Sequence, residues 1–210
     1  MKKIIFPLLS FGVIILTACN NSSSKNEQVG HDMDNMNKDT TPQSVVTGNN
    51  DIKGVAVKYT GIDAGVTASI KEIADHYLHI KNALAKDNGG EAASGAKAMQ
   101  GAISKLDKSL FTAEQKAIYD KNEEKLKESA DHIEKNGDKI RQQRSQFALM
   151  SEVVYDIVKS FGAGRPIYHD HCPMFNENKG AMWLSETMEI KNPYYGADML
   201  TCGSVEEIIE

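Results

Sequence analysis

The side chains that can bind a soft metal ion are concentrated between residues 165 and 203. This stretch contains two of the chain's three cysteines, two of its six histidines and four of its nine methionines. Thiolate, thioether and imidazole ligands together favour copper(I), with silver as its analogue, over hard cations. The sequence therefore predicts a copper(I) site. Its candidate ligands are Cys172, Cys202, His171, Met174 and Met199, with His169 as the second-choice histidine.

Residue spacing divides these ligands into two groups. Cys172 and Met174 lie two positions apart, so an extended backbone projects both to one side. Pro173 favours that conformation in the residue before it. Met199 and Cys202 are three positions apart and can converge within a single turn. Three aromatic side chains are expected to pack around the site and limit the access of water and oxidants: Trp183, Tyr194 and Tyr195.

The N-terminal residues have the pattern of an export and lipidation signal. Lys2 and Lys3 precede an apolar run, residues 4–16, which is too short to span a bilayer comfortably. The run ends in Leu16-Thr17-Ala18-Cys19, which resembles a bacterial lipobox. We therefore expect residues 1–18 to be a lipoprotein signal peptide and Cys19 to carry acyl chains such as palmitate. The protein would then be anchored to a membrane of the bacterial cell envelope, on a periplasmic or outer-membrane face; an ordinary secretory signal is the alternative.

Residues 19–65 predict a flexible, lipid-anchored tether. They are rich in Asn, Ser, Thr, Asp and Gly, so they cannot bury enough apolar surface to offset the entropy lost on ordering. Within this segment His31, Met33 and Met36 form a weak accessory site for a soft cation. The alternative is that these three side chains are incidental to a polar segment.

A disulfide is the main alternative to the metal site. If Cys19 is lipidated, Cys172 and Cys202 remain as a pair in an oxidising compartment. A bond between them would stabilise the fold by about 3–4 kcal/mol in the chain-entropy model. The protein would then be a structural or interaction module that binds no metal. The two states are not exclusive, because a dithiol can exchange between a disulfide and a metal.

The elements that must position these ligands are helical. Residues 66–162 contain no proline, and their apolar side chains recur at i, i+3, i+4 and i+7. This pattern predicts a mainly α protein, an up-down antiparallel four-helix bundle over residues 66–210 on which an irregular C-terminal loop region packs. The helices are expected from about residue 70 to near 87, from about 91 to 108, from Thr112 to about 134 and from 140 to Gly162. The third opens with a capping box between Thr112 and Gln115.

Several other functions are excluded or disfavoured. The net charge of −5 with dispersed lysines gives no basic footprint for nucleic acid. The chain has no nucleophile elbow, phosphate loop or zinc-protease motif. His171 and Cys172 are neighbours whose side chains point to opposite faces of an extended backbone, so they do not form a nucleophilic pair. We therefore expect no enzymatic activity.

The C-terminal region contains four motifs: His171-Cys172-Pro173-Met174, Gly180-Ala181-Met182-Trp183-Leu184-Ser185, Asn192-Pro193-Tyr194-Tyr195-Gly196 and Met199-Leu200-Thr201-Cys202-Gly203. Together they resemble the signature of a bacterial domain family of unknown function. That domain occurs alone in envelope lipoproteins and appended to periplasmic adaptor subunits of copper/silver-type heavy-metal efflux pumps. The resemblance covers roughly residues 70–209 and implies a metal-handling role with an efflux or copper-delivery protein as partner. The long β-rich portions of a complete adaptor are lacking.

Together, these patterns lead to one functional expectation. The protein is expected to be an envelope lipoprotein that binds copper(I), either to sequester it or to hand it to an efflux or assembly partner.

Overall fold

The computed structural model of the protein describes residues 52–210. The signal peptide at residues 1–18, the lipidation site Cys19, most of the tether and the accessory ligands His31, Met33 and Met36 lie outside the described residues. Those expectations therefore remain predictions. Within the described part of the chain, no helix is long and apolar enough to cross a membrane.

Four long helices make up most of the described structure, which confirms the expectation of a mainly helical protein. They are α1 (Ala64–Ala85), α2 (Gly89–Lys105), α3 (Ala113–Lys135) and α4 (Ile140–Phe161). Each helix packs against the next one in the chain, and α1 also contacts α4. This arrangement is compatible with a four-helix bundle.

Local signals in the sequence explain where these helices begin and end. The capping box is confirmed, because the Thr112 hydroxyl accepts from the Gln115 N–H and the Gln115 side chain accepts from the Thr112 N–H. Asn88 caps α2 by accepting from the backbone N–H of Glu91 at 3.0 Å. At the other end of the helical region Gly162 adopts a φ of +74°, which favours glycine and ends α4.

The C-terminal region is a sheet rather than an irregular loop, which corrects the expectation from sequence. The sheet comprises β2 (Ile167–Cys172), β3 (Ala181–Ser185) and β4 (Ser204–Ile209) from the C-terminal region and β1 (Lys53–Val55) from before the helices. The strand order is β1-β4-β2-β3. The strand β2 pairs antiparallel with both β3 and β4, whereas β1 pairs parallel with β4. These strands are at most six residues long and carry many polar side chains. Their sequences therefore lack a clear alternating pattern.

The first strand comes from the segment that the sequence assigned to the tether. Residues 52–65 are part of the folded unit, because the Val57 N–H donates to the Glu210 carbonyl at 3.1 Å and the Tyr59 N–H donates to the Ser160 carbonyl at 3.0 Å. The Tyr59 ring also contacts Phe161, with ring centroids 5.6 Å apart. The tether, as predicted from sequence, is therefore too long at its C-terminal end.

One apolar core is shared by the helices and the sheet. The sheet packs on the helices mainly through β3, which contacts α4 and α1. Trp183 and Leu184 on β3 and Cys172 at the end of β2 are buried in the same core cluster as the helical side chains. The helical contribution includes Ile70, Ile73, Tyr77, Met99, Leu126, Phe147 and Val154.

Candidate metal site

Two thiols meet at the edge of this core. Cys172 is the last residue of β2 and is fully buried, whereas Cys202 lies in the loop that precedes β4 and is partly exposed. Their Sγ atoms are 3.6 Å apart, and both are free cysteines. The structure thus brings together the two cysteines that the sequence singled out, although 30 residues separate them in the chain.

Asn192 holds in place the loop that contains Cys202 and precedes β4. It is fully buried, and its Nδ2 donates to the Cys202 carbonyl at 2.7 Å. Its Oδ1 accepts from the Tyr194 N–H at 2.8 Å, and its own backbone N–H donates to the Leu200 carbonyl at 2.8 Å. Because one side chain ties both ends of the loop together, the position of Cys202 depends on Asn192.

Two aromatic residues, Trp183 and Tyr194, belong to the same buried cluster as Cys172. Tyr194 stacks on Phe175 with ring centroids 4.3 Å apart and meets Trp183 edge to face at 5.9 Å. The Tyr194 hydroxyl donates to the Met182 carbonyl, which fixes the ring against β3. Tyr195 lies further out and donates to the Met174 carbonyl at 3.0 Å. The expectation that these rings limit the access of water and oxidants to the thiols stays a prediction.

The protonation of Cys202 follows from this environment. Burial first, and then the contact with Cys172, raises the pKa of the Cys202 thiol. Without a metal the group is therefore a neutral thiol at pH 7. A metal that binds there must displace a proton, so its affinity rises with pH.

The two candidate methionines lie between the thiols in the chain, Met174 shortly after Cys172 and Met199 shortly before Cys202. Met199 ends the turn Gly196–Met199, and its carbonyl accepts from the Cys202 N–H at 3.1 Å. Met174 follows β2 in an exposed turn. Met199 is thus within one turn of Cys202, as the spacing predicted.

The two candidate histidines lie on the opposite face of β2. His169 and His171 line a cavity of about 830 Å³, bounded by α3, α4 and the sheet, whereas Cys172 points into the core. The reason is the alternation of side chains along a strand, which sends neighbouring residues to opposite faces. His171 therefore does not join Cys172, contrary to the grouping preferred from sequence.

These histidines face carboxylates. The Nδ1 of His171 is 3.4 Å from a Glu206 oxygen, and the Nδ1 of His169 is 3.9 Å from oxygens of both Glu206 and Glu207. The His169 ring packs on Tyr155 with centroids 4.7 Å apart. Burial lowers the pKa of His169 in spite of the two carboxylates, so the ring is neutral at pH 7.

Sequence reasoning missed a buried ionic cluster behind the sheet. Lys81 on α1 is one member of this cluster, because its side chain is buried. Its Nζ lies 3.0 Å from a Glu186 oxygen and 3.4 Å from the Ser185 hydroxyl. Asp170 on β2 is also fully buried, and neither of its oxygens has a hydrogen-bond partner. Burial raises the pKa of Asp170 to about 7, against the opposing influence of Lys81.

A second missed feature is the anchor of the loop after β3. Arg144 on α4 donates from Nε to the Pro193 carbonyl at 2.8 Å and from Nη2 to an Asp87 oxygen at 2.6 Å. The other Asp87 oxygen accepts from the Ala197 N–H at 2.9 Å. The loop is thereby fixed to the turn between α1 and α2. In the sequence, only the charge of Arg144 could have indicated that this residue forms such an anchor, and its neighbours in the chain are polar as well.

Across residues 52–210, no group of three or more His, Cys, Asp and Glu side chains is already arranged to hold a metal ion. The thiol pair fits a soft metal in its chemistry, because thiolates select copper(I). Further ligands must come from thioethers, from the backbone or from a partner.

A family model described as a protein of unknown function (DUF3347) matches residues 73–165. The match spans most of the four helices and ends before β2. It therefore does not include the thiol pair or the candidate ligands His169 and His171. No curated protein and no solved structure matches the chain.

Proposed function

We propose that the protein is an envelope lipoprotein, anchored through Cys19, that binds one copper(I) ion through Cys172 and Cys202. It would sequester the ion or hand it to an efflux or assembly partner. The observation that carries this proposal is the 3.6 Å contact between two free thiols from distant parts of the chain. The four helices, as an up-down antiparallel bundle, would serve as the scaffold.

The separation of the two sulfur atoms suits a shared metal ion. Two thiolates bound tetrahedrally at about 2.3 Å from one ion lie about 3.8 Å apart. The observed 3.6 Å differs from this by only a few tenths of an ångström. Binding would therefore require the loss of protons but little movement of the chain.

The unequal exposure of the thiols suits transfer of the ion. Cys202 is partly exposed, whereas Cys172 is buried beneath it. An ion would enter and leave on the Cys202 side, where a partner's ligand could replace that thiolate first. Met199, within one turn of Cys202, is the preferred third ligand, and the exposed Met174 is the other thioether candidate.

Copper(I) competition titration of the reduced protein tests the proposal. We expect one ion per chain, and we expect Cys202→Ser and Cys172→Ala each to weaken binding at least about tenfold, since even outer-shell ligand partners contribute 10–100-fold. Met188→Leu is the matched control, because Met188 is an exposed thioether outside the proposed ligand set. An affinity that is unchanged in the double cysteine variant would overturn the site.

The same contact supports a second function, that of a structural or interaction module with a Cys172–Cys202 disulfide. Sulfur atoms 3.6 Å apart need to approach by roughly 1.5 Å to form the bond. Counting free thiols by alkylation without reductant separates the two functions. No free thiol, together with no copper uptake after reduction, would favour the disulfide module.

A further inference from the structure

The cavity between the sheet and helices α3 and α4 contains a group of ligands that the thiol site does not use. His169 and His171 project into it from β2, and Glu206 projects from β4. One Glu206 oxygen is 3.4 Å from the Nδ1 of His171, and the other is 3.9 Å from the Nδ1 of His169. A single carboxylate thus faces two imidazoles.

The imidazole of His169 lacks partners. Both of its ring nitrogens are buried, and neither forms a hydrogen bond. Glu207, the other carboxylate nearby, is already bound by the Tyr155 hydroxyl and by Lys159. An unpaired buried polar atom is costly, so these nitrogens indicate a missing ligand.

From this geometry we propose that His169, His171 and Glu206 bind one divalent cation of the Zn²⁺ or Cu²⁺ class. Imidazole and carboxylate are the ligands that these ions accept, whereas copper(I) prefers thiolates. This site is separate from the thiol pair on the opposite face of β2.

The distances from the Glu206 oxygens to the two imidazoles are close to those expected around one metal ion. Ligand atoms about 2.0–2.1 Å from a tetrahedral ion lie roughly 3.3–3.4 Å from one another. The pair formed by His171 and Glu206 already has this separation, at 3.4 Å. His169 must approach Glu206 by roughly 0.5 Å. The need for this movement explains why the three side chains do not yet form a closed ligand set.

The surroundings favour a cation. Besides Glu206, the cavity lining carries Glu128, Glu152 and Asp156, against two lysines on α3. Gly180 leaves room for the His171 ring, because a Cβ there would lie 2.4 Å from the His171 Nε2. The cavity itself leaves a fourth coordination position open to water or to a group from a partner.

Isothermal titration with Zn²⁺ tests the proposal in the full chain carrying Cys172→Ala and Cys202→Ala, so that the thiols cannot contribute. We expect one Zn²⁺ per chain, and at least a tenfold loss of affinity in Glu206→Gln and in His171→Ala. Glu206 is half-exposed, so its substitution should leave the fold intact, as a thermal melt will verify.

Glu152→Gln is the matched control, because Glu152 lines the same cavity and its substitution removes the same charge. An equal loss of affinity in Glu152→Gln and Glu206→Gln would mean general electrostatic attraction and would overturn the proposal. So would the absence of Zn²⁺ binding in the chain that lacks Cys172 and Cys202, a result that leaves copper(I) binding by the native chain untouched. Electron paramagnetic resonance with Cu²⁺ provides a second measurement, in which we expect hyperfine coupling to imidazole nitrogen that weakens in His171→Ala.

Discussion

The burial of one side chain, Asp170 on β2, makes the stability of the fold depend on pH. Its folded-state pKa of about 7 is higher than the ordinary value of 3.8, because burial disfavours the charged form. Between these two values the folded state binds more protons than the unfolded state. The contribution of Asp170 to stability is therefore most favourable at low pH and is progressively lost as the pH rises through 7.

We expect Asp170→Asn to be more stable, relative to the native chain, at pH 8 than at pH 5. The difference in the free energy of unfolding between variant and native chain should change by roughly 2.5 kcal/mol between these pH values. Urea unfolding of the metal-free protein at both pH values measures it. Glu124→Gln, a change of an exposed carboxylate on α3, serves as the control and should show no such change. A pH-independent difference for Asp170→Asn would show that the carboxyl is not protonated in the fold.

Individual residues also show where sequence reasoning succeeded and where it could not. The ligand chemistry of Cys172 and Cys202 was sufficient to predict their proximity. His171 was misplaced because its adjacency to Cys172 in sequence was given more weight than the alternation of side chains along a strand. The ion pair of Lys81 could not be predicted, since its partner Glu186 lies more than 100 residues further along the chain.

At the level of elements, the loop after β3 is held by a close approach to the helices. Gly196 has a φ of +58°, and a Cβ at this position would lie 2.2 Å from an Asp87 oxygen and 2.5 Å from the Arg144 Nη2. Any side chain would therefore separate the loop from the turn between α1 and α2. This explains why a glycine ends the Asn192–Gly196 motif.

We expect Gly196→Ala to lower the free energy of unfolding by about 2–4 kcal/mol, through backbone strain and the displacement of the Asp87–Arg144 pair. Denaturant unfolding measures this loss. Gly101→Ala is the matched control, because a Cβ at Gly101 meets nothing within 4 Å and the residue lies inside α2. There alanine should stabilise the chain by up to about 1 kcal/mol. Equal effects at both glycines would contradict the close approach.

The helices could be predicted from the sequence and the strands could not, because the two depend on contacts at different separations along the chain. A helix is specified by neighbours within a few residues, so periodicity and the Thr112–Gln115 capping box located α3 to within a residue or two. The strands depend on pairing between distant segments, and β1 has only three residues. The His169 face of β2 also points into a polar cavity, which removes the apolar alternation by which strands are recognised.

At the level of the whole molecule, residues 52–62 connect the two parts of the fold. They supply β1 to the sheet and place Tyr59 on Phe161 at the end of α4. We expect a chain that begins at Asp63 to have a Tm roughly 5–10 °C below that of a chain that begins at Ile52. Both versions retain Asp63, the N-cap of α1, so the comparison isolates the segment. Thermal melts of the two chains measure the difference, and equal Tm values would mean that β1 contributes nothing to stability.

The position of β4 between β1 and β2 imposes an order on assembly. Lys53 pairs with Glu207, about 150 residues further along the chain, and all four helices are synthesised between these two residues. Helices form from local contacts, whereas strand pairing across a long loop is slow. The helices can therefore assemble while the sheet is still open. Cys172 ends β2 and Cys202 lies just before β4, so we expect the two thiols to come together at a late stage of folding, when β4 pairs with β2.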